Sequence, residues 1–229
     1  MIQDAEMPLR KVKSELDKTM ADIDFMKISD LLYGRKGDGE IQTLVEWNLF
    51  GKPINNFACD FGLRNSDALK FSEECLKLYS GAFFGSEIQA NRPFNVRCQL
   101  GQYYSWGVRS SLRLSDYNHD LLLVLDKTQS DIQRFIGEKA GSVSTIEEYC
   151  DLLIGNPDWM PWDWSHGAAR AAEYVFVASK IGISPSDMRG NLAQYENVNI
   201  KSGLNRSVNV HEYLEKVIRH LEISRGVAK

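Results

Sequence analysis

Apolar side chains recur at three- and four-residue intervals over Leu9, Val12, Leu16, Met20, Ile23 and Met26. This spacing predicts a helix with one buried face, fading near Ser29. Pro8 suits the first turn, where its missing N–H costs nothing. A glycine-rich loop, 34–39, follows, and the period then becomes two. Ile41, Thr43, Val45, Trp47 and Leu49 alternate with Gln42, Leu44, Glu46, Asn48 and Phe50. Beyond the Gly51-Lys52-Pro53 turn, Phe57, Cys59, Phe61 and Leu63 alternate with Asn56, Ala58, Asp60 and Gly62. The two runs predict a β-hairpin.

Helical spacing returns over Ala68, Phe71, Cys75, Leu78 and Tyr79, with Asn65 or Ser66 able to cap by accepting an orphan N–H. Period two resumes over Phe94, Val96, Cys98 and Leu100, and again over Tyr104, Trp106 and Val108. Two further strands are predicted, with a turn near Gly101. Leu121, Leu125, Thr128, Ile132 and Phe135 fit a helix, which leucine favours over a strand.

From there the chain reads as wholly helical. Ser144-Thr145-Ile146-Glu147 resembles a capping box ahead of the stripe Ile146, Tyr149, Cys150, Leu153 and Ile154. Gly155 with Asn156-Pro157 ends that helix. Ala168, Ala171, Ala172, Val175, Phe176 and Ile181 mark a helix rich in small residues, stopped by Gly182. Ser184-Pro185-Ser186-Asp187 opens another, and Asn209 with Glu212 caps a last one with Val210, Leu214, Val217 and Leu221 on its apolar face.

Strands grouped early and helices grouped late predict an α+β fold. The expected architecture is an antiparallel sheet of about four strands packed by helices, with an all-helical C-terminal half. A sheet-containing part, 1–137, and a helical part, 144–229, would meet at a seam in 137–144 and pack as a single globular unit.

The composition is that of an ordinary globular chain: 229 residues, 43% hydrophobic, 25% charged, net charge −4. An isoelectric point near 5.6 speaks against a general nucleic-acid surface. The longest apolar run, Leu121 to Leu125, is far too short for a membrane span. The opening residues carry Asp4 and Glu6 and lack the apolar core of a secretory signal. Cys59, Cys75, Cys98 and Cys150 stand apart from one another, form no C-x-x-C pair and sit on apolar stripes. Buried, reduced thiols in a cytoplasmic protein are therefore expected.

Candidate chemistry is sparse. The loop from Gly34 to Glu40 has glycines and a lysine, but a helix precedes it and a strand follows, the reverse of a phosphate loop. His211-Glu212-Tyr213-Leu214-Glu215 departs from H-E-x-x-H in its last residue. His220 falls on the opposite side of that helix, so no third metal ligand is at hand, and Glu212 is better read as a cap. No nucleophile elbow of the G-x-S-x-G type occurs. No metal and no cofactor are expected.

One segment stands out. Trp159, Trp162 and Trp164, three of the five tryptophans, fall within six residues between Pro157 and His166. From Ala140 to Asp163 there are five acids, Glu147, Glu148, Asp151, Asp158 and Asp163, and no lysine or arginine. The tryptophans could plug the core, with Asp163 or Ser165 capping the helix that follows. Asp163 and His166 could instead form a carboxylate–imidazole pair in the pocket of a small hydrolase or transferase. Or the segment could be an interface, since tryptophan is enriched at binding hot spots and carboxylates attract basic partners. On the function itself, the expectation is a non-catalytic, cytoplasmic protein-binding module. Its sharpest version is an immunity or antitoxin-type neutraliser of a basic protein, with no nucleic acid and no membrane involved.

Overall fold

The computed structural model describes residues 8–36, 39–84, 93–94, 96–107, 110–141, 143–155, 164–192 and 210–224. It has the α+β architecture expected from the sequence, an antiparallel sheet followed by helices. The order is α1 (Leu9–Ala21), β1 (Phe25–Ser29), β2 (Leu32–Arg35), β3 (Gln42–Phe50), β4 (Asn56–Arg64), α2 (Ser66–Phe84), β5 (Val96–Gln99), α3 (Leu100–Tyr103), β6 (Leu112–Arg113), α4 (Leu121–Phe135), α5 (Ile146–Gly155), α6 (Trp164–Lys180), α7 (185–192) and α8 (Val210–Ser224). The strands run β1-β2-β3-β4-β5 across the sheet, and β6 pairs with β4.

Among the described residues the sheet has six strands where the pattern predicts about four. The first helix ends at Ala21, and Phe25–Ser29 with Leu32–Arg35 forms a hairpin the helical spacing hid. Asp24 and Leu31 take left-handed backbone angles, φ 64° and 60°, that break any helix there. Met26, counted on the helical stripe, is exposed on β1. The predicted strand through Tyr104 and Trp106 is instead the short α3 and a turn. Trp106 is buried outside any strand, with its indole Nε1 donating to the Asp131 carboxylate at 2.7 Å.

Two compact units emerge, 1–63 with 97–142 and 64–96 with 143–229. In the first, α1 packs on β1 and α4, and Asp17 takes Tyr33 Oη at 2.8 Å and Lys27 Nζ at 3.0 Å. Alternation along β4 buries Phe57, Cys59, Phe61 and Leu63 on one face. Phe61 meets Phe135 of α4 with ring centroids 4.9 Å apart. Beyond α4 the backbone widens into a π-helical turn, Ile136–Ala140, closed by the Gly141 N–H donating to the Ile136 carbonyl.

The second unit is helical in its packing, with α2, α5 and α8 gathered round α6. Residues 167–175 of α6 are buried on every side, which alanine permits by letting neighbouring helices approach closely. Gly182, at φ 82°, ends α6, with the Ile183 N–H donating back to the Ala178 carbonyl at 2.9 Å. Asn65 caps α2 by accepting the Ala68 N–H at 3.0 Å. Sequence boundaries drawn at 1–137 and 144–229 keep 64–96 with the sheet, whereas the packing groups it with the C-terminal helices.

Candidate functional site

The predicted surface begins on α5. Ile146, Tyr149, Cys150 and Leu153 bury along the side packed on α6, which turns Glu147, Glu148 and Asp151 to solvent. The capping box sits one residue later than the sequence suggests. Thr145 Oγ1 accepts the Glu148 N–H at 3.2 Å, and the Glu148 carboxylate accepts the N–H groups of Thr145 (3.0 Å) and Ser144 (2.8 Å). Glu148 is therefore committed to its own helix start. Glu147 and Asp151, four positions apart, present two carboxylates on one side of the helix.

The backbone N–H of Ser144, then that of Thr145, holds the Glu148 carboxyl below its ordinary range. A depressed folded value means that the stability it contributes is complete above the unfolded value and is lost as pH falls through the lowered one. Glu148→Gln should flatten that part of the acid-denaturation curve, measured as urea midpoint between pH 6 and pH 2. A wild-type curve that is itself flat would contradict the cap.

Trp164 opens α6 and His166 follows in its first turn, while Asp158, Trp159, Trp162 and Asp163 lie outside the described residues. The structure thus brings Glu147, Glu148 and Asp151 onto one short helix, and the rest of the predicted surface follows that helix in the chain.

Sequence reading missed a buried polar group in the second unit. Arg170 and Glu173, both 1% exposed, sit among the alanines of α6. Tyr149 Oη of α5 donates to Glu173 Oε2 at 2.5 Å. Burial first, then the Glu173 carboxylate, pushes the Tyr149 phenol well above its ordinary value, while the Asn65 N–H and Arg170 act the other way. Nearby, Asn191 Nδ2 donates to Tyr174 Oη at 2.8 Å, and Tyr213 Oη donates to the Ala168 carbonyl at 3.3 Å. The signal was present in the sequence: two charges three residues apart in a run too apolar to have a solvent face.

A second constellation joins α2 to α8. His220 meets Tyr79 Oη at Nδ1 (3.2 Å) and Glu74 at Nε2 (3.3 Å). Hydroxyl, imidazole and carboxylate stand in the order nucleophilic catalysis uses. Burial, then Cys75 and Glu74, raises the Tyr79 phenol above its ordinary value, and the three side chains link α2 to α8. Glu215 of the H-E-x-x-E segment is taken by Arg189, with Nε and Nη2 at 2.5 and 2.9 Å from its two oxygens. Among the described residues, no group of three or more His, Cys, Asp or Glu is placed to hold a metal. No described helix is long and apolar enough to cross a membrane. Comparison with protein-family models, curated proteins and solved structures finds no match.

Proposed function

We propose that the chain is a non-catalytic protein-binding module of the cytoplasm. In this reading its contact surface is the outer face of α5 together with the tryptophan-rich segment that follows. The observation that carries it is the pair of exposed carboxylates, Glu147 and Asp151, on a helix leading into Trp159, Trp162 and Trp164 with no basic residue from Ala140 to Asp163. Carboxylates held one helical turn apart attract a basic partner and speed its capture, and tryptophans supply contact area at low entropic cost. The partner's chemistry follows: a protein with a lysine- and arginine-rich face, engaged over a standard interface of roughly 1,600 Å². The sharper form is an immunity or antitoxin-type role, in which binding covers a basic toxin. Buried reduced thiols support the cytoplasmic placement. The alternative, a small hydrolase or transferase, rests on His166 and on Asp163, which lies outside the described residues.

Affinity capture tests the proposal. Tagged wild type should retain a basic protein at low salt and release it as ionic strength rises. Trp159→Ala/Trp162→Ala should lose that protein, and Glu147→Lys/Asp151→Lys should bind it more weakly with a shallower salt dependence. An identical set of captured proteins for wild type and both variants would reject this surface.

A further inference from the structure

Cys59 lies on β4 and Cys98 on β5, neighbouring strands of the antiparallel sheet. Each residue is 1% exposed and neither forms a disulfide in this structure. Their alignment follows from the next residues along. The Arg97 guanidinium reaches the Asp60 carboxylate at 3.6 Å, so β4 and β5 pair with these two at or near the same level. In an antiparallel ladder, one step back on one strand meets one step forward on the other. A register with Asp60 opposite Arg97 sets Cys59 opposite Cys98, on the alternate face of the sheet. Burial agrees: Phe57, Cys59 and Phe61 of β4, and Val96 and Cys98 of β5, are all at most 1% exposed. Consistent with that closeness, the Cys59 thiol is raised first by burial, then by Asp60 and by Cys98. Residues directly opposed in such a ladder have Cα atoms about 4.5–5.5 Å apart. That range lies within the roughly 4.4–6.8 Å a disulfide spans.

We propose that Cys59 and Cys98 are a cross-strand thiol pair that closes to a disulfide when the chain meets a small disulfide oxidant such as oxidised glutathione. One cysteine thiolate attacks a glutathione sulfur, the glutathione S–S bond breaks, and the first glutathione leaves as a thiolate. The second cysteine thiolate then attacks the protein-bound sulfur and expels the second glutathione. Two thiol protons and two electrons pass from the protein to the oxidant, and one protein S–S bond forms. Burial raises the Cys59 thiol and covers both sulfurs in the folded chain, so closure is fast during folding and slow afterwards. Once formed, the bond ties together the two strands between which the chain makes its excursion through α2.

The experiment refolds the full chain from denaturant in oxidised glutathione, then blocks remaining thiols with N-ethylmaleimide under denaturing conditions and maps peptides by mass spectrometry. The expected result is a peptide linking Cys59 to Cys98, two hydrogens lighter than its reduced parts, with Cys75 and Cys150 blocked. The same linkage should appear more slowly in chain oxidised without unfolding. The oxidised chain should also unfold at higher urea than the same sample after dithiothreitol, and Cys59→Ala should leave Cys98 free to react. Four blocked cysteines after refolding, a bond between any other pair, or a linked form that unfolds at lower urea than its reduced parent would overturn the pairing.

Discussion

Glu173→Ala should lower the free energy of unfolding by about 3–5 kcal/mol, the usual cost of removing one partner from a buried charged group. Its carboxylate accepts the Tyr149 hydroxyl at 2.5 Å in a site where Tyr149 is 0% and Glu173 1% exposed. Without it, a buried phenol loses its acceptor, and the guanidinium of Arg170, three residues earlier on the same helix and 1% exposed, loses a neighbouring negative charge. Tyr149→Phe should cost only about 1 kcal/mol, because it removes one hydrogen bond and leaves both charges in place. Urea titrations of the two single variants and the double variant measure the coupling. A Glu173→Ala loss no larger than that of Tyr149→Phe would mean that the carboxylate serves the tyrosine alone.

Phe135→Ala should cost a similar amount in the first unit, about 3–5 kcal/mol, through lost burial and the cavity left behind. The ring is 0% exposed, with Phe61 of β4 at 4.9 Å on one side and Tyr103 of α3 at 5.4 Å in an edge-on contact. It is also the last residue of α4 before the π-helical turn, so it joins helix, strand and loop at one point. Phe135→Leu keeps most of the volume and should lose less. The check is urea unfolding followed by far-ultraviolet circular dichroism with an unchanged slope, and a loss below about 1 kcal/mol would show that the site collapses around the gap.

The legible parts of the fold were those with long, uninterrupted periods. Nine-residue alternation marked β3 and β4, and the stripes of α2, α4 and α5 stood where helices form. The hairpin of β1 and β2 escaped because its strands are short and its turn uses Asp30 and Leu31 in place of an Asn-Gly signal. The helical spacing of Ile23 and Met26 continued across it by coincidence. Trp106 was misplaced because alternation registers burial without saying what the side chain is bonded to; Asp131, on the far helix, supplies the reason. At the candidate surface, the acids of α5 could be read from charge alone. That Glu148 would turn back onto Ser144 and Thr145 was hidden by a one-residue shift of the helix start.

The route of the chain through its two units bears on how the molecule is made. Residues 64–96 are synthesised long before 143–229, yet they share a unit. As the chain leaves the ribosome, α2 therefore carries Ala68, Leu69, Phe71, Cys75 and Leu76 without the helices that will cover them. The sheet is likewise unfinished until β5 and β6 emerge beside β4. Neither unit is a continuous stretch, so no single cut separates one from the other. A nascent chain halted near residue 142 would hold a complete first unit and one unpartnered apolar helix, the kind of surface that chaperones bind and that aggregates when left exposed.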